Sequence, residues 1–422
     1  MSKDQIEIAI LAGDGIGTEV TEATFAVVEA ARARMGGFSL QKTDILAGAG
    51  YYRDTGQDIE ADGEERAGKA DAMYIGAIGL PAIRAVDGTE IAPHLRLRER
   101  FQLYAGVRPV KAYKGAPRIL LDEQANNIDM VIIRECTEGL FYSAAVHNRS
   151  PKTNADEARE TLRITRSVTE RLCDFAFRLT ERRAQAGGKN MVTCVDKANV
   201  FQAFAFFRKI FDERAAQFPE IKNSHAYVDA QALELVKKPW ALDVLVMENI
   251  FGDILSDLAG GLVGGMGMAA SAEIGDDHCL FQPAHGSAPD IMGQDKANPL
   301  AAILSGAMML DWLGWQAGNE KMVEAARLIE KAVEDGFADG GLRPMEFGGD
   351  MGLKGTSNTS CPETTQRPNG SQQVPQPDLP RGFSASRKGV TNVWKKYLLC
   401  VVGGGTGTFF NSIHAAATVL FG

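Results

Sequence analysis

Asp253 and Asp257 stand four residues apart in FGDILSD. On a helix this spacing stacks both carboxylates on one face, one turn from each other. Two bare carboxylates at that distance repel and lose hydration, and a counter-charge relieves both effects. A hard divalent cation supplies such a charge, and oxygen ligands of this kind suit Mg²⁺ or Mn²⁺. A solvated acidic helix face would have the same spacing. The context argues against it: the pair lies among apolar residues and ahead of GGLVGGMGM, not on a Lys/Glu-rich surface.

Other residues could serve the same chemistry. Arg98 and Arg108 lie in LRLRERFQLYAGVRPV, and Arg134 follows the apolar run of DMVIIRE. A guanidinium fork binds carboxylates bidentately, so several together suit a di- or tricarboxylate. Each alone could be a surface residue; Arg134 is the least surface-like, because it ends a buried-looking strand. Lys197 in VDKANV could accept a proton if it sat partly desolvated near a metal, or could be a salt-bridge residue. Asp229 in YVDAQALELV could be a third oxygen ligand or a turn residue. In HGSAPDIMGQDKANP, from His285 to Pro299, small side chains let backbone approach a flat or phosphorylated ligand. Asp290 there could accept hydrogen bonds from ribose hydroxyls and would repel a 2′-phosphate, which favours NAD over NADP. An ordinary Gly/Pro loop reads the same way. GDGIG, from Gly13 to Gly17, imitates a dinucleotide fingerprint, but its last glycine comes one residue before Thr18, where the spacing requires it. A tight turn beside a cleft and a direct phosphate contact both remain open for it.

The elements that must position these groups follow from composition and pattern. The 422 residues suffice for two domains with a large core. A net charge of -9 argues against nucleic acid, although local arginines can still attract a small anion. The 6 cysteines form no CxxC pair and read as reduced thiols. The chain opens directly on a strand without a signal-like region, so a cytoplasmic location is expected. Apolar runs predict strands at IEIAILAG, 71–79, 129–135 and 242–249; amphipathic patterns predict helices at 19–34, 157–183 and 199–213. Alternation of the two implies an α/β architecture with a substantial parallel sheet. From about Gly355 to Gly389 the chain is polar and Pro/Gly-rich, too poor in apolar surface to offset its ordering entropy. Residues 394–421 then turn hydrophobic, but GGGTGT and Asn411, Ser412 and His414 argue against a membrane span.

The motifs GDGIG, the paired arginines, RECTEG, VDKANV, YVDAQ, ENIFGDILSD and HGSAPD…ANP occur in the order found in one family. Over about residues 5 to 352 the chain resembles the β-decarboxylating dehydrogenases, which act on isocitrate, isopropylmalate, homoisocitrate and tartrate or malate. The resemblance implies an isopropylmalate dehydrogenase-like two-domain α/β fold with a parallel or mixed sheet, not a Rossmann fold. It implies a large cofactor-binding domain from 1–110 and 265–352, a central dimerisation and metal-site domain from 111–264, and an atypical tail over 353–422 in place of the usual last helix. Arg98, Arg108 and Arg134 would clamp a hydroxy-di- or tricarboxylate. Asp253 and Asp257 would bind Mg²⁺ or Mn²⁺ from one subunit, while Asp229 and Lys197 reach the site from the partner of a homodimer with shared active sites. His285, Gly286, Ser287, Ala288, Asp290 and Asn298 would hold the adenosine half of NAD, with Asn199 also on the cofactor.

The implied reaction is hydride transfer from the substrate C2 to NAD⁺, with Lys197 taking the hydroxyl proton, followed by loss of CO₂. The chain departs from the pattern at Phe141, where the family has a tyrosine that acts as the acid. The adjacent Tyr142 is the candidate replacement, but neighbours in an extended segment face opposite ways. At the substituent-selecting stretch the chain has His94 and Leu95; His94 could meet a third carboxylate or a hydroxyl, or lie on the surface. The substrate is expected in the 3-isopropylmalate or isocitrate class, with a tartrate- or malate-type dehydrogenase, or a non-catalytic regulatory member, as the alternatives.

Overall fold

An apolar run without polar alternation needs cover on both faces, and β1 (Gln5–Gly13) has it. Ile6, Ile8 and Ile10 pack into one core with Phe25 and Val28 of α1 (Gly17–Met35), whereas Ala9 and Leu11 pack into another with Ile45, Leu97 and Leu103. The computed structural model describes residues 5–144 and 152–361, which belong to one compact unit.

The chain continues through β2 (Ser39–Asp44), α2 (Ala49–Thr55), α3 (Gly63–Lys69), β3 (Ala72–Ala77), α4 (Pro93–Arg100), β4 (Ala105–Lys111), β5 (Asp129–Glu135) and the single turn α5 (Phe141–Ala144). The two-residue strands β6 (Lys152–Thr153) and β7 (Ala158–Arg159) pair with each other. Then follow α6 (Arg166–Gln185), β8 (Met191–Asp196), α7 (Gln202–Ala215), β9 (Lys222–Tyr227), α8 (Val228–Lys237), β10 (Val244–Met247) and α9 (Asn249–Leu262). The hairpin of β11 (Ala270–Ile274) and β12 (Cys279–Pro283) leads to α10 (Leu300–Ala317), α11 (Glu320–Ala338) and α12 (Leu353–Thr359).

One ten-stranded sheet runs in the order β2-β1-β3-β12-β11-β4-β5-β10-β8-β9. The first four strands are mutually parallel, as are the last four. They are joined through β11 and β4, whose pairings are all antiparallel. A Rossmann sheet has no such antiparallel centre, so the sheet is mixed and the glycines of GDGIG do not mark that fold. The boundaries inferred at residues 110 and 265 fall inside β4 and just ahead of β11, within this continuous sheet.

Three elements differ from the sequence expectation. The helix expected over 157–183 begins only at Arg166. The Glu138 carboxylate accepts from both the backbone N–H and the hydroxyl of Thr165 at 2.8 Å, which fixes Thr165 in an extended conformation ahead of the helix. The helix expected over 199–213 begins at Gln202, because Lys197 to Phe201 form a turn in which Val200 N–H donates to Lys197 O at 3.0 Å. The tail expected from residue 353 opens instead with α12, which packs on α1 with Thr356 and Ser360 fully buried. The hydroxyl of Ser360 returns to the Thr356 carbonyl at 2.9 Å, whereas the Thr356 Oγ1 is buried with no partner among the described residues. Residues 362–422, the remainder of that tail, lie outside the described residues. Among the described residues no helix is long and apolar enough to cross a membrane.

Candidate active site

Between α4, the ends of β5 and β12, and α9 lies an open cleft of about 1360 Å³. All three predicted arginines line it, from three different elements: Arg98 on α4, Arg108 on β4 and Arg134 near the end of β5. They are 6%, 7% and 4% exposed, so none is a surface cation. Burial of this kind needs counter-charge, and Glu273 on β11 supplies it. Arg98 holds both its carboxylate oxygens, with Nε to Oε2 at 2.7 Å. Arg108 stands 3.6 Å from Oε1, and Gln282 donates to the same oxygen at 2.8 Å. Burial pushes the Glu273 carboxyl up, but the two guanidinium groups outweigh it and hold its pKa below the usual range. Arg98 and Arg108 thus share one fully buried carboxylate, and Nη1 of Arg108 is buried with no partner among the described residues. The cleft is built to receive additional negative charge.

The acidic pair arrives on α9. Glu248 caps this helix, its Oε2 accepting from Ile250 N–H at 3.1 Å. Leu255, Ala259 and Leu262 drive the other face into a core with Ile132, Leu245 and Met247. That orientation turns Asp253 and Asp257 to the cleft. Asp253 accepts from Arg134 Nη1, and Arg134 Nε donates to the Asn249 side chain at 2.9 Å. Gly252 makes this approach possible, since a Cβ there would lie 2.6 Å from the Arg134 side chain. Partial burial, and then repulsion from Asp253, raise the Asp257 pKa. Such a pair fits a divalent cation, which would relieve that repulsion. It offers two carboxylates only: no group of three or more His, Cys, Asp or Glu gathers for a metal among the described residues.

His285 and Gly286 also line the cleft. The His285 Nε2 is buried without a partner among the described residues, Nδ1 lies 2.9 Å from Gly286 O, and burial lowers the ring's pKa. Gly286 leaves the space around its Cα open, as a backbone that must approach a flat ligand requires. An imidazole ring next to an open glycine leaves room for a flat nucleotide base. Ser287 and Asn298 are committed inward. The Ser287 hydroxyl donates to Gly79 O and its carbonyl accepts Ile16 N–H at 2.8 Å, while the Asn298 amide donates to Glu346 at 2.9 Å. Ala288 is part-buried at φ 35°, and Asp290 is exposed on the same loop. The GDGIG turn meets this loop: Asp14 accepts from the N–H groups of Ala49, Gly50 and Gly79, and Ile16 is held by Ser287. The turn is a structural clasp between segments far apart in sequence.

Besides Ser287, Ala288, Asp290 and Asn298 of that loop, four predicted residues do not line this cleft in their own chain. Lys197 and Asp229 form an ion pair at 2.6 Å elsewhere on the surface, where the lysine hydrogen bond lowers the Asp229 pKa. Asn199 is exposed in the turn beside Lys197. Tyr142 lies against the Arg163 guanidinium, 3.8 Å from its ring centroid, whereas Phe141 lines the cleft with Arg134 5.1 Å from its ring centroid. The segment is a helical turn, not extended, yet the two rings still diverge. Sequence reasoning missed Glu273 and Asn249. The signal for Glu273 was a lone carboxylate within the apolar strand ASAEI; Asn249, as a helix-opening polar residue, carried none.

An α/β fold whose cleft gathers three buried arginines, a pair of aspartates and an open glycine has the groups to bind a small polyanion. The family model for isocitrate/isopropylmalate dehydrogenase matches residues 7–366, and the chain belongs to that family of dehydrogenases acting on a CH–OH group. It is 40% identical over 351 residues to the 3-isopropylmalate/3-methylmalate dehydrogenase of Methanocaldococcus jannaschii, covering 82% of this chain and 95% of that protein. It is 36% identical to a probable NAD isocitrate dehydrogenase subunit alpha of Caenorhabditis elegans, over 82% and 89% of the two chains. Isocitrate dehydrogenase from Methylococcus capsulatus superposes with a TM-score of 0.72 at 32% identity, over 84% of this chain and 98% of that one. A β-decarboxylating dehydrogenase from Thermococcus kodakarensis gives 0.67 at 31% identity, over 85% and 96%.

Proposed function

We propose that the protein oxidises a malate-type 2-hydroxy acid of the 3-isopropylmalate or isocitrate class with NAD⁺ and Mg²⁺ or Mn²⁺, and decarboxylates the resulting β-keto acid. The observation that carries this reading is the convergence of Arg98, Arg108 and Arg134 with Asp253 and Asp257 on one cleft. The arginines bind and orient the substrate carboxylates. Asp253 and Asp257 would hold a divalent cation, whose charge beside the C2 hydroxyl eases loss of its proton and the later gathering of charge on that oxygen. His285, Gly286 and the loop to Asp290 would hold the adenosine half of NAD, which supplies the hydride acceptor. Lys197 is the base for the hydroxyl proton, delivered with Asp229 from a second copy of the chain.

Exposed apolar side chains support such a homodimer: Val200 and Phe201 beside Lys197, Leu233 and Val236 on α8 with Asp229, and Ile254 between the two cleft aspartates. A monomer would leave them in water. Phe141 gives the cleft no phenol, so proton delivery to the enol carbon falls to another donor. The compartment proposed is the cytoplasm.

The test is turnover by purified protein with NAD⁺ and Mn²⁺ across isopropylmalate, isocitrate, tartrate and malate, with CO₂ measured beside NADH. Matched CO₂ and NADH from at least one acid is expected. No turnover across the panel would sink the proposal, and NADH without CO₂ would limit it to the oxidation. Lys197→Met is expected to abolish turnover while NAD binding persists.

A further inference from the structure

One buried side chain beneath the cleft has no role in the proposed reaction. Asn249 is 1% exposed and opens α9, two residues after Met247 of β10, which pairs in register with Arg134 of β5. Its side-chain oxygen accepts from Arg134 Nε at 2.9 Å. Its nitrogen donates to Glu138 O at 3.1 Å and to Glu135 Oε2 at 3.4 Å. A guanidinium only donates and a carbonyl only accepts, so these partners leave the amide one orientation. Asp253 holds Arg134 Nη1, and Nη2 has no partner among the described residues. Nη2 is therefore the part of this guanidinium left for an anion in the cleft that Arg134 lines.

We propose that Asn249 is a positioning residue: by holding Nε it turns the Arg134 guanidinium so that Nη1 steadies Asp253 and Nη2 faces the substrate. This rests on the reading of the cleft as a hydroxy-acid site with a cation at Asp253 and Asp257. Close packing of α9 at Gly252 fixes the stem of the Arg134 side chain, but packing does not choose which edge of a planar fork points where. Asn249 makes that choice, and its bond to Glu138 O ties the choice to the backbone of the loop after β5. Without the amide oxygen, Nε would be left buried and unpaired, which is costly. The fork would then close side-on over both oxygens of Asp253, as Arg98 does on Glu273 through Nε and Nη2. That closure withdraws Nη2 from the substrate and a carboxylate from the cation at one stroke.

The experiment measures Mn²⁺ affinity by calorimetry, kcat/KM on the acid the wild type turns over best, and denaturant midpoints, in Asn249→Ala and Asn249→Asp. Asn249→Ala is expected to lose about 10- to 100-fold in both Mn²⁺ affinity and kcat/KM. Asn249→Asp keeps the oxygen for Nε but loses the donor to Glu138 O and meets Glu135. It should unfold more readily than wild type, yet hold both quantities within about fivefold. In an Arg134→Lys background, which has no fork to orient, Asn249→Ala should cost less than about threefold further in kcat/KM. Equal losses in both backgrounds, or a folded Asn249→Asp as impaired as Asn249→Ala, would assign Asn249 to stability alone and overturn the inference. The isotope-labelled Arg134 Nε–H signal, assigned by its loss in Arg134→Lys, reads the contact directly. Slow exchange is expected in the wild type, and fast exchange there overturns the inference even if the Asn249 variants fail to fold. A wild type that neither binds Mn²⁺ nor turns over any acid defeats the hydroxy-acid reading instead, and the Nε–H signal then still decides whether Asn249 holds Arg134.

Discussion

Arg108 carries a charge that the protein alone leaves poorly compensated. Its Nη1 is buried without a partner among the described residues, and its Nη2 is 3.6 Å from Glu273, beyond hydrogen-bond reach. Arg98 grips both oxygens of the same carboxylate. Replacing a poorly paired buried charge by an apolar residue of similar volume is neutral or stabilising, whereas removing one partner of a good buried pair costs about 3–5 kcal/mol. Arg108→Met should therefore hold stability or raise it by about 1–2 kcal/mol, and Arg98→Met should lower it by about 3–5 kcal/mol with Glu273 stranded. At about 2.1 cal/mol/K of unfolding entropy per residue, a chain of this length shifts Tm by only about 1 °C per kcal/mol. Denaturant midpoints should accordingly be read beside Tm. Both variants lose a charge-assisted contact to substrate worth about 2–4 kcal/mol, or roughly 30- to 1000-fold in kcat/KM. The outcome is a protein that is as stable as wild type but catalytically crippled in one case, and destabilised as well in the other. If Arg108→Met unfolds as readily as Arg98→Met, or keeps kcat/KM within about threefold of wild type, the assignment of Arg108 to an anion-accepting role fails.

Other consequences are equally open to measurement. Burial raises the Glu248 pKa from 4.5 to about 7, against the two N–H donors it caps, with Glu135 adding to the rise and Arg134 opposing it. A carboxyl with a higher pKa folded than unfolded binds more protons in the native state, so this contribution to stability is lost as pH rises from about 4.5 through about 7. Glu248→Gln keeps an oxygen for the cap and should flatten that slope, by at most about 1.4 kcal/mol per pH unit; equal slopes in unfolding titrations would refute this. Gly15→Ala meets a φ of 54° and places a Cβ 2.0 Å from Ser287 O, forcing the GDGIG turn off the His285 loop. It should lower stability by about 1–3 kcal/mol and weaken NAD binding about tenfold or more, and calorimetry showing wild-type affinity would count against the clasp. Lys197→Met and Asp253→Asn should each be inactive, yet co-assembly of the two should recover about a quarter of wild-type activity, since half of random dimers are mixed and each has one intact site. A silent mixture would place the whole site within one chain.

Much of the architecture was legible because local pattern and burial agreed. The strands expected at 129–135 and 242–249 are short apolar runs that call for burial on both faces, and they are β5 and, over Val244–Met247, β10. The i,i+4 spacing of Asp253 and Asp257 required only a helix, which the apolar stripe at Leu255, Ala259 and Leu262 enforced. Helix starts were less legible. Thr165 begins α6 because Glu138, 27 residues earlier, supplies both of its hydrogen bonds, and no local propensity encodes that contact. The order within α12 was hidden by its polar composition, since packing on α1 outweighs what Thr356 and Ser360 lack in apolar surface.

Residue types and spacing alone determined which groups could bind an anion, a hard cation and a nucleotide, because guanidinium, carboxylate and glycine keep their chemistry wherever they fall. Tertiary structure alone decided which of them meet. Arg98 and Glu273 are 175 residues apart in the chain and fully buried together. Lys197 and Asp229 pair on the surface away from the aspartates of their own chain, and Phe141, not Tyr142, lines the cleft. Those outcomes depend on how helices and strands distant in sequence pack over a common core, and on where burial makes an unpaired charge or imidazole costly enough to need a ligand.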